Sequence, residues 1–146
     1  MKNDAIILIA EDDEGHAGLL TKNFRRAGVR NKTILFNDGE ETLNFFFGKG
    51  KGPHVQMGSS YVLILDIRMP KVNGIEVLRL LKEDEKLGVI PVIMFTTTFD
   101  SATVRKCHDL GCSKYLIKPT EYEKFIETIK QLGILITAME VPVIHA

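Results

Sequence analysis

Asp66 closes the apolar run Tyr61-Val62-Leu63-Ile64-Leu65 and is followed at once by Ile67-Arg68-Met69-Pro70-Lys71-Val72-Asn73-Gly74. A carboxylate at the mouth of a buried strand costs free energy unless a cation or a donor pairs with it. The run Ala5-Ile6-Ile7-Leu8-Ile9-Ala10 likewise ends in Glu11-Asp12-Asp13, and Pro91-Val92-Ile93-Met94-Phe95 ends in Thr96-Thr97-Thr98. A further run, Ser113-Lys114-Tyr115-Leu116-Ile117, ends in Lys118-Pro119. Three strand ends offer hard oxygen ligands and one offers an ammonium, a set suited to a hard cation and a phosphoryl group.

Gathered in one crevice, Glu11, Asp12 and Asp66 would repel one another, and a divalent cation would relieve the repulsion. Mg²⁺ prefers octahedral oxygen coordination that keeps several waters, so it would take one or two carboxylates directly. The backbone carbonyl of Arg68, just after Asp66, offers another oxygen. Asp66 can then act as a carboxylate nucleophile toward phosphorus. The Lys118 ammonium would neutralise oxygens of the transferring group and a threonine hydroxyl would donate to one of them. Position alone does not choose among Thr96, Thr97 and Thr98. Asp13 reads better as a solvated residue at a helix start.

The elements that must position these residues follow from patterning. Strand-like runs alternate with helical periodicity, which predicts an α/β fold: a doubly wound parallel sheet with helices on both faces. Ala17, Leu20, Phe24 and Ala27 recur at helical spacing before Gly28. Lys32 to Phe36 reads as a second strand, and Asn37-Asp38-Gly39-Glu40-Glu41 starts a helix running to about Phe47. Gly48 to Ser60, rich in glycine, reads as a long surface loop. The strand ending at Asp66 precedes a helix from Gly74 to about Glu85. A strand from about Val89 to Phe95 precedes a helix capped by Asp100 or Ser101 and ended by Gly111. Phe125, Ile126, Ile129 and Leu132 mark the last helix. In such a sheet ligands collect beyond the carboxyl ends of the strands at the switch point, where Asp12, Asp66, Thr96 and Lys118 would meet.

The 146 residues suit one domain, with 45% hydrophobic content for a core. Nineteen basic residues balance nineteen acidic ones, so no chain-wide field favours nucleic acid or anionic membrane. The apolar runs are strand-length, and the opening Met1-Lys2-Asn3-Asp4 is no signal sequence, which predicts a cytoplasmic protein without membrane attachment. Cys107, His108 and Cys112 raise zinc, but two cysteines without a second cluster fit reduced core thiols better.

In combination, Glu11-Asp12, Asp66 followed by Met69-Pro70 and Gly74, then Thr96, Tyr115 and Lys118-Pro119, resemble the receiver domain of two-component response regulators from Ile6 to about Leu132. The resemblance implies five parallel strands in flavodoxin-like order 2-1-3-4-5. It implies that Asp66 accepts a phosphoryl group from a sensor histidine kinase or phosphotransfer protein. It assigns Mg²⁺ to Asp12 and Asp66 with Glu11 assisting, phosphoryl pairing to Lys118, the switch hydroxyl to Thr96 and the switch aromatic to Tyr115. It also implies a cis Lys118-Pro119 bond, and it gives Arg68 and Thr98 positions that tune the lifetime of the phosphoryl group. The protein would be a phosphoacceptor in signalling rather than an enzyme with a separate substrate.

The glycine-rich insertion, the segment Cys107 to Tyr115 and the extension after the last helix resemble the stand-alone regulators that partner phytochrome-type sensor kinases. Ile134-Leu135 departs from the aromatic residues expected there. On this reading residues 1–132 form the receiver, and the apolar extension 133–146 covers the face of the fourth helix, fifth strand and fifth helix or pairs two chains as a homodimer. Three rivals stand beside it. A Mg²⁺-dependent phosphohydrolase would be expected to show a clean Asp-x-Asp pair, and a flavin module would carry a Ser/Thr/Gly loop in place of Glu11-Asp12-Asp13-Glu14. A degenerate receiver would only bind partners.

Overall fold

Alternate residues of the central strands face opposite sides of one sheet, and this alternation organises the computed structural model, which describes residues 1–2 and 4–146. The elements are β1 (Ile6–Ala10), α1 (Glu14–Arg26), β2 (Thr33–Phe36), α2 (Gly39–Phe47), β3 (Tyr61–Leu65), α3 (Gly74–Glu83), β4 (Val92–Thr96), α4 (Ser101–Leu110), β5 (Lys114–Ile117) and α5 (Tyr122–Ala138). The strands pair in parallel, as the patterning predicted, and in the order β2-β1-β3-β4-β5, as the resemblance implied.

Ile7, Ile9, Val62, Ile64, Ile93 and Phe95 pack against Leu20 and Phe24 of α1 and Phe125 and Ile129 of α5. Leu8, Ala10, Leu63, Leu65, Val92 and Met94 face the other way, onto Phe45, Val77, Leu78, Leu81 and Cys107 from α2, α3 and α4. Burial on both faces is why these strands read as continuous apolar runs. Side chains of this size contribute about 1.5–3 kcal/mol each when fully buried.

Helix starts follow their side chains. Asp13, Asp38, Asn73 and Asp100 cap α1, α2, α3 and α4 by accepting from the backbone N–H three residues on. At the end of α4, Gly111 adopts φ 106°, and the N–H groups of Cys112 and Gly111 donate to the carbonyls of Cys107 and His108 at 3.1 and 3.0 Å. Cys107 and Cys112 are free thiols in the core, and burial pushes Cys107 up to about 11.

Three boundaries differ from expectation. The fourth strand begins at Val92, because Leu87–Val89 form a 3₁₀ turn and Pro91 has no N–H for the ladder. The last helix passes Leu132 and runs to Ala138, because Gly133 and Ile136 continue its buried stripe, Gly133 lying beside Phe24 of α1. The tail does not cover α4, β5 and α5. It folds back to the start of β3, where Val143 bridges Ser60, the Ile144 N–H donates to the Ser59 carbonyl at 2.9 Å and the Gly58 N–H donates to the Ile144 carbonyl at 2.7 Å. Ile144 is wholly buried with the α2 and α3 residues, where its side chain gains more than on an exposed face. Among the described residues, no helix is long and apolar enough to cross a membrane.

Candidate functional site

Glu11, Asp66 and Lys118 each directly follow the last residue of a strand, held by hydrogen bonds that prolong the sheet, and Thr96 is itself the last residue of β4. The Glu11 N–H donates to the Phe36 carbonyl at 3.0 Å, the Asp66 N–H to the Ala10 carbonyl at 3.1 Å, and the Lys118 N–H to the Thr96 carbonyl at 2.7 Å. The crevice at the carboxyl ends of β1 and β3 therefore places Glu11, Asp12 and Asp66 together, each with an oxygen within 4.8 Å of the others. Glu11 and Asp66 are buried and Asp12 is exposed.

Lys118 lies between the two buried carboxylates. Its Nζ donates to Asp66 Oδ2 at 2.8 Å and makes a short contact with Glu11 Oε1, while the aliphatic stem is buried. The Phe95 ring centroid is 5.6 Å from the ammonium, an added attraction in a desolvated site. Asp66 Oδ1 accepts from the Ile67 N–H at 2.7 Å and Glu11 Oε2 from the Asp13 N–H at 3.2 Å. Burial pushes the Glu11 carboxyl up to about 7, against the lowering influence of Lys118 and with a smaller rise from the Asp66 charge.

Gly74 shows how closely the surroundings are built. A Cβ there would lie 2.0 Å from the Asp66 carbonyl oxygen, so only glycine lets α3 start against the Asp66 backbone. The Gly74 N–H in turn donates to the Ile67 carbonyl at 2.8 Å.

Thr96 is fully buried, and its Oγ1 accepts from the Thr98 N–H at 3.3 Å. The Thr98 carbonyl accepts from the Tyr115 hydroxyl at 2.6 Å, so Thr98 links the two residues expected to act as switches. Burial pushes the Tyr115 phenol up to about 12. Arg68 is exposed at the mouth of the crevice. Asp13 caps α1 instead of joining the acidic cluster. Lys118-Pro119 is trans, correcting the cis bond that the resemblance implied; the cis bond among the described residues is Gly52-Pro53.

His16 is the site residue that the motif reading missed. Its Nδ1 lies 3.2 Å from Lys118 Nζ and 3.7 Å from Glu11 Oε1, and its ring sits 4.9 Å from that of Phe125. A signal was present: His16, Leu20 and Phe24 stand at successive four-residue steps, so His16 heads the inward stripe of α1.

Three carboxylates against one ammonium leave two negative charges when all are ionised, the charge that one divalent cation cancels. The oxygen donors suit Mg²⁺.

The profile of the response regulator receiver domain matches residues 7–130. The chain belongs to the response regulator receiver family. The receiver is 42% identical, with a TM-score of 0.90, to a response regulator receiver domain from Rhodospirillum rubrum, the match covering 97% of this chain and 99% of that one. It is 33% identical to the probable methanogenesis regulatory protein FilR2 of Methanothrix harundinacea over 87% of this chain and 80% of that protein. The bacteriophytochrome response regulator RtBRR is 30% identical with a TM-score of 0.74, covering 97% of the receiver and 82% of RtBRR. Receiver domains are signalling phosphoacceptors and bind Mg²⁺ at an acidic cluster.

Proposed function

We propose that this receiver takes a phosphoryl group onto Asp66 from the phosphohistidine of a sensor histidine kinase or a phosphotransfer protein, and signals by protein–protein contacts in the cytoplasm. The observation that carries the reading is the buried pairing of Asp66 with Lys118, 2.8 Å apart, beside Glu11 and Asp12. An Asp66 carboxylate oxygen forms the new O–P bond while the donor's P–N bond breaks, its electron pair remaining on the imidazole nitrogen. Lys118, already beside Asp66, is placed to neutralise phosphoryl oxygens as charge develops. Glu11, Asp12, Asp66 and the Arg68 carbonyl would hold Mg²⁺, which when bound supplies charge neutralisation for the transferring group.

The Thr96 hydroxyl would turn from the Thr98 N–H toward the phosphoryl group. Because Thr98 also carries the bond to Tyr115, that turn would disturb both ends of the link and bias the face of α4, β5 and α5. The likeness to RtBRR supports a phytochrome-type kinase as donor. Residues 1–132 would carry the phosphoacceptor function and 133–146 would contribute to a homodimer. We infer no direct partnership with nucleic acid or membrane.

The test is intact-protein mass after incubation with Mg²⁺ and acetyl phosphate, with Asp66→Asn alongside. A gain of one phosphoryl mass that is lost in the variant and on adding EDTA is expected. No gain from acetyl phosphate or from a phosphorylated kinase would overturn the reading.

A further inference from the structure

An ammonium has three donors and no acceptor, so the ring nitrogen that faces it must present a lone pair. Lys118 Nζ has three close partners: Glu11 Oε1, Asp66 Oδ2 and His16 Nδ1, the last at 3.2 Å. The three acceptors match the three donors in number. The ring proton of His16 then sits on Nε2, on the side of Asp13 Oδ2, 3.8 Å away.

His16 is held at its backbone and at its ring. Its backbone N–H donates to Asp13 Oδ1 at 3.1 Å, fixing the residue in the first turn of α1, and its ring lies on Phe125 of α5. Two helices from the α1/α5 side of the sheet therefore set where one nitrogen lone pair points. We propose that His16 is a positioning residue for Lys118: its neutral Nδ1 takes the third ammonium donor and fixes the charge where it stands between Glu11 and Asp66. This rests on the phosphoacceptor reading of Asp66 above.

The physical reason lies in the alternative. Without a neutral third acceptor, the free donor would turn to a second oxygen of Glu11 or Asp66 and shift the ammonium from the place it holds between them. The group would then have to be pulled back before it could meet a phosphoryl oxygen. A neutral acceptor adds no negative charge to a site already crowded with it, so the ammonium keeps its full charge for the incoming group.

Two substitutions separate this role from simple packing. His16→Phe keeps a ring against Phe125 and removes the acceptor, whereas His16→Asn loses the ring and places an amide oxygen where Nδ1 stood. The rate of phosphoryl gain from acetyl phosphate in Mg²⁺ is expected to fall about tenfold in His16→Phe, the low end for a hydrogen bond to a charged group. His16→Asn should recover most of that rate. Any other order of the two variants, including equal rates, would overturn the assignment.

A second measurement is independent of phosphorylation: the ¹H–¹⁵N signal of the Lys118 ammonium, identified by its loss in Lys118→Met. The signal should broaden through faster proton exchange in His16→Phe and persist in His16→Asn. If the wild type gained no phosphoryl mass, the function proposed for Asp66 would fail, while this signal would still decide the hydrogen bond. Equal signals in both variants would overturn the positioning role even with phosphorylation intact.

Discussion

Replacing Lys118 by Met keeps most of the buried stem and removes the only cation within 4.0 Å of Glu11 and Asp66 among Lys and Arg side chains of the described residues. Two facing carboxylates then remain in a desolvated crevice, with oxygens within 4.8 Å. At that separation and an effective dielectric constant of about 20, their mutual repulsion is about 3.5 kcal/mol. Removing one partner of a buried pair costs about 3–5 kcal/mol by the same physics. The expected loss in EDTA is therefore up to about 3–5 kcal/mol at high pH, and less wherever one carboxyl takes up a proton, which the loss of Lys118 favours because that ammonium lowers the Glu11 value. Mg²⁺ should act as the replacement cation. A ligand at one hundred times its dissociation constant adds about 2.7 kcal/mol to the folded state, so Mg²⁺ should recover much of the loss. Wild type, whose own ammonium competes for the crevice, should gain less. Urea unfolding followed by circular dichroism, with EDTA or saturating Mg²⁺, measures both quantities. Equal stability of the two proteins in EDTA, together with equal Mg²⁺ responses, would refute the placement of Lys118 as the internal counter-ion.

Folded Glu11 holds its proton to about pH 7 against an ordinary value of 4.5, so the folded state binds the extra proton between those limits. Its contribution to stability is present at low pH and declines as pH rises from 4.5 to 7, which urea unfolding in EDTA across that window should show for wild type and not for Glu11→Gln. Since Mg²⁺ needs the ionised carboxylate, its affinity should strengthen by up to about tenfold per pH unit up to that point, with proton release visible by calorimetry in two buffers. Gly74→Ala should abolish phosphorylation or folding, because its Cβ would lie 2.0 Å from the Asp66 carbonyl oxygen. Gly133→Ala should stabilise by about 0.5–1 kcal/mol in a thermal melt, since its Cβ would meet Phe24 at 3.5 Å, an ordinary contact within a helix. Ile144→Ala should cost about 2–4 kcal/mol in urea, and a cost near zero would show that the tail is not seated in the core.

The strand ends were legible because a two-sided sheet writes its strands as unbroken apolar runs, and the polar residue that stops each run is carried to the same edge. Asp66, Glu11 and Lys118 were found that way, and the caps Asp13, Asp38 and Asp100 announced their helices. His16 escaped because its role is set by a lysine 102 residues away, beyond the reach of local periodicity. The tail escaped for a related reason. Val141-Pro142-Val143 says where a helix cannot continue, but the place that receives Ile144 is made by residues from β3 and α2. The link through Thr98 was equally hidden, since a backbone carbonyl carries no sequence signature.

The Tyr115–Thr98 hydrogen bond also makes the protein its own spectrometer. The chain has three tyrosines and no tryptophan. Tyr61 is enclosed, with its hydroxyl oxygen accepting from the Gln56 N–H, and Tyr122 stands in solvent. Uniform fluorotyrosine labelling would therefore give three resonances in three distinct surroundings, with a buried and a solvated line as internal standards. The third reads the bond from Tyr115 on β5 to the Thr98 carbonyl, two residues past the end of β4.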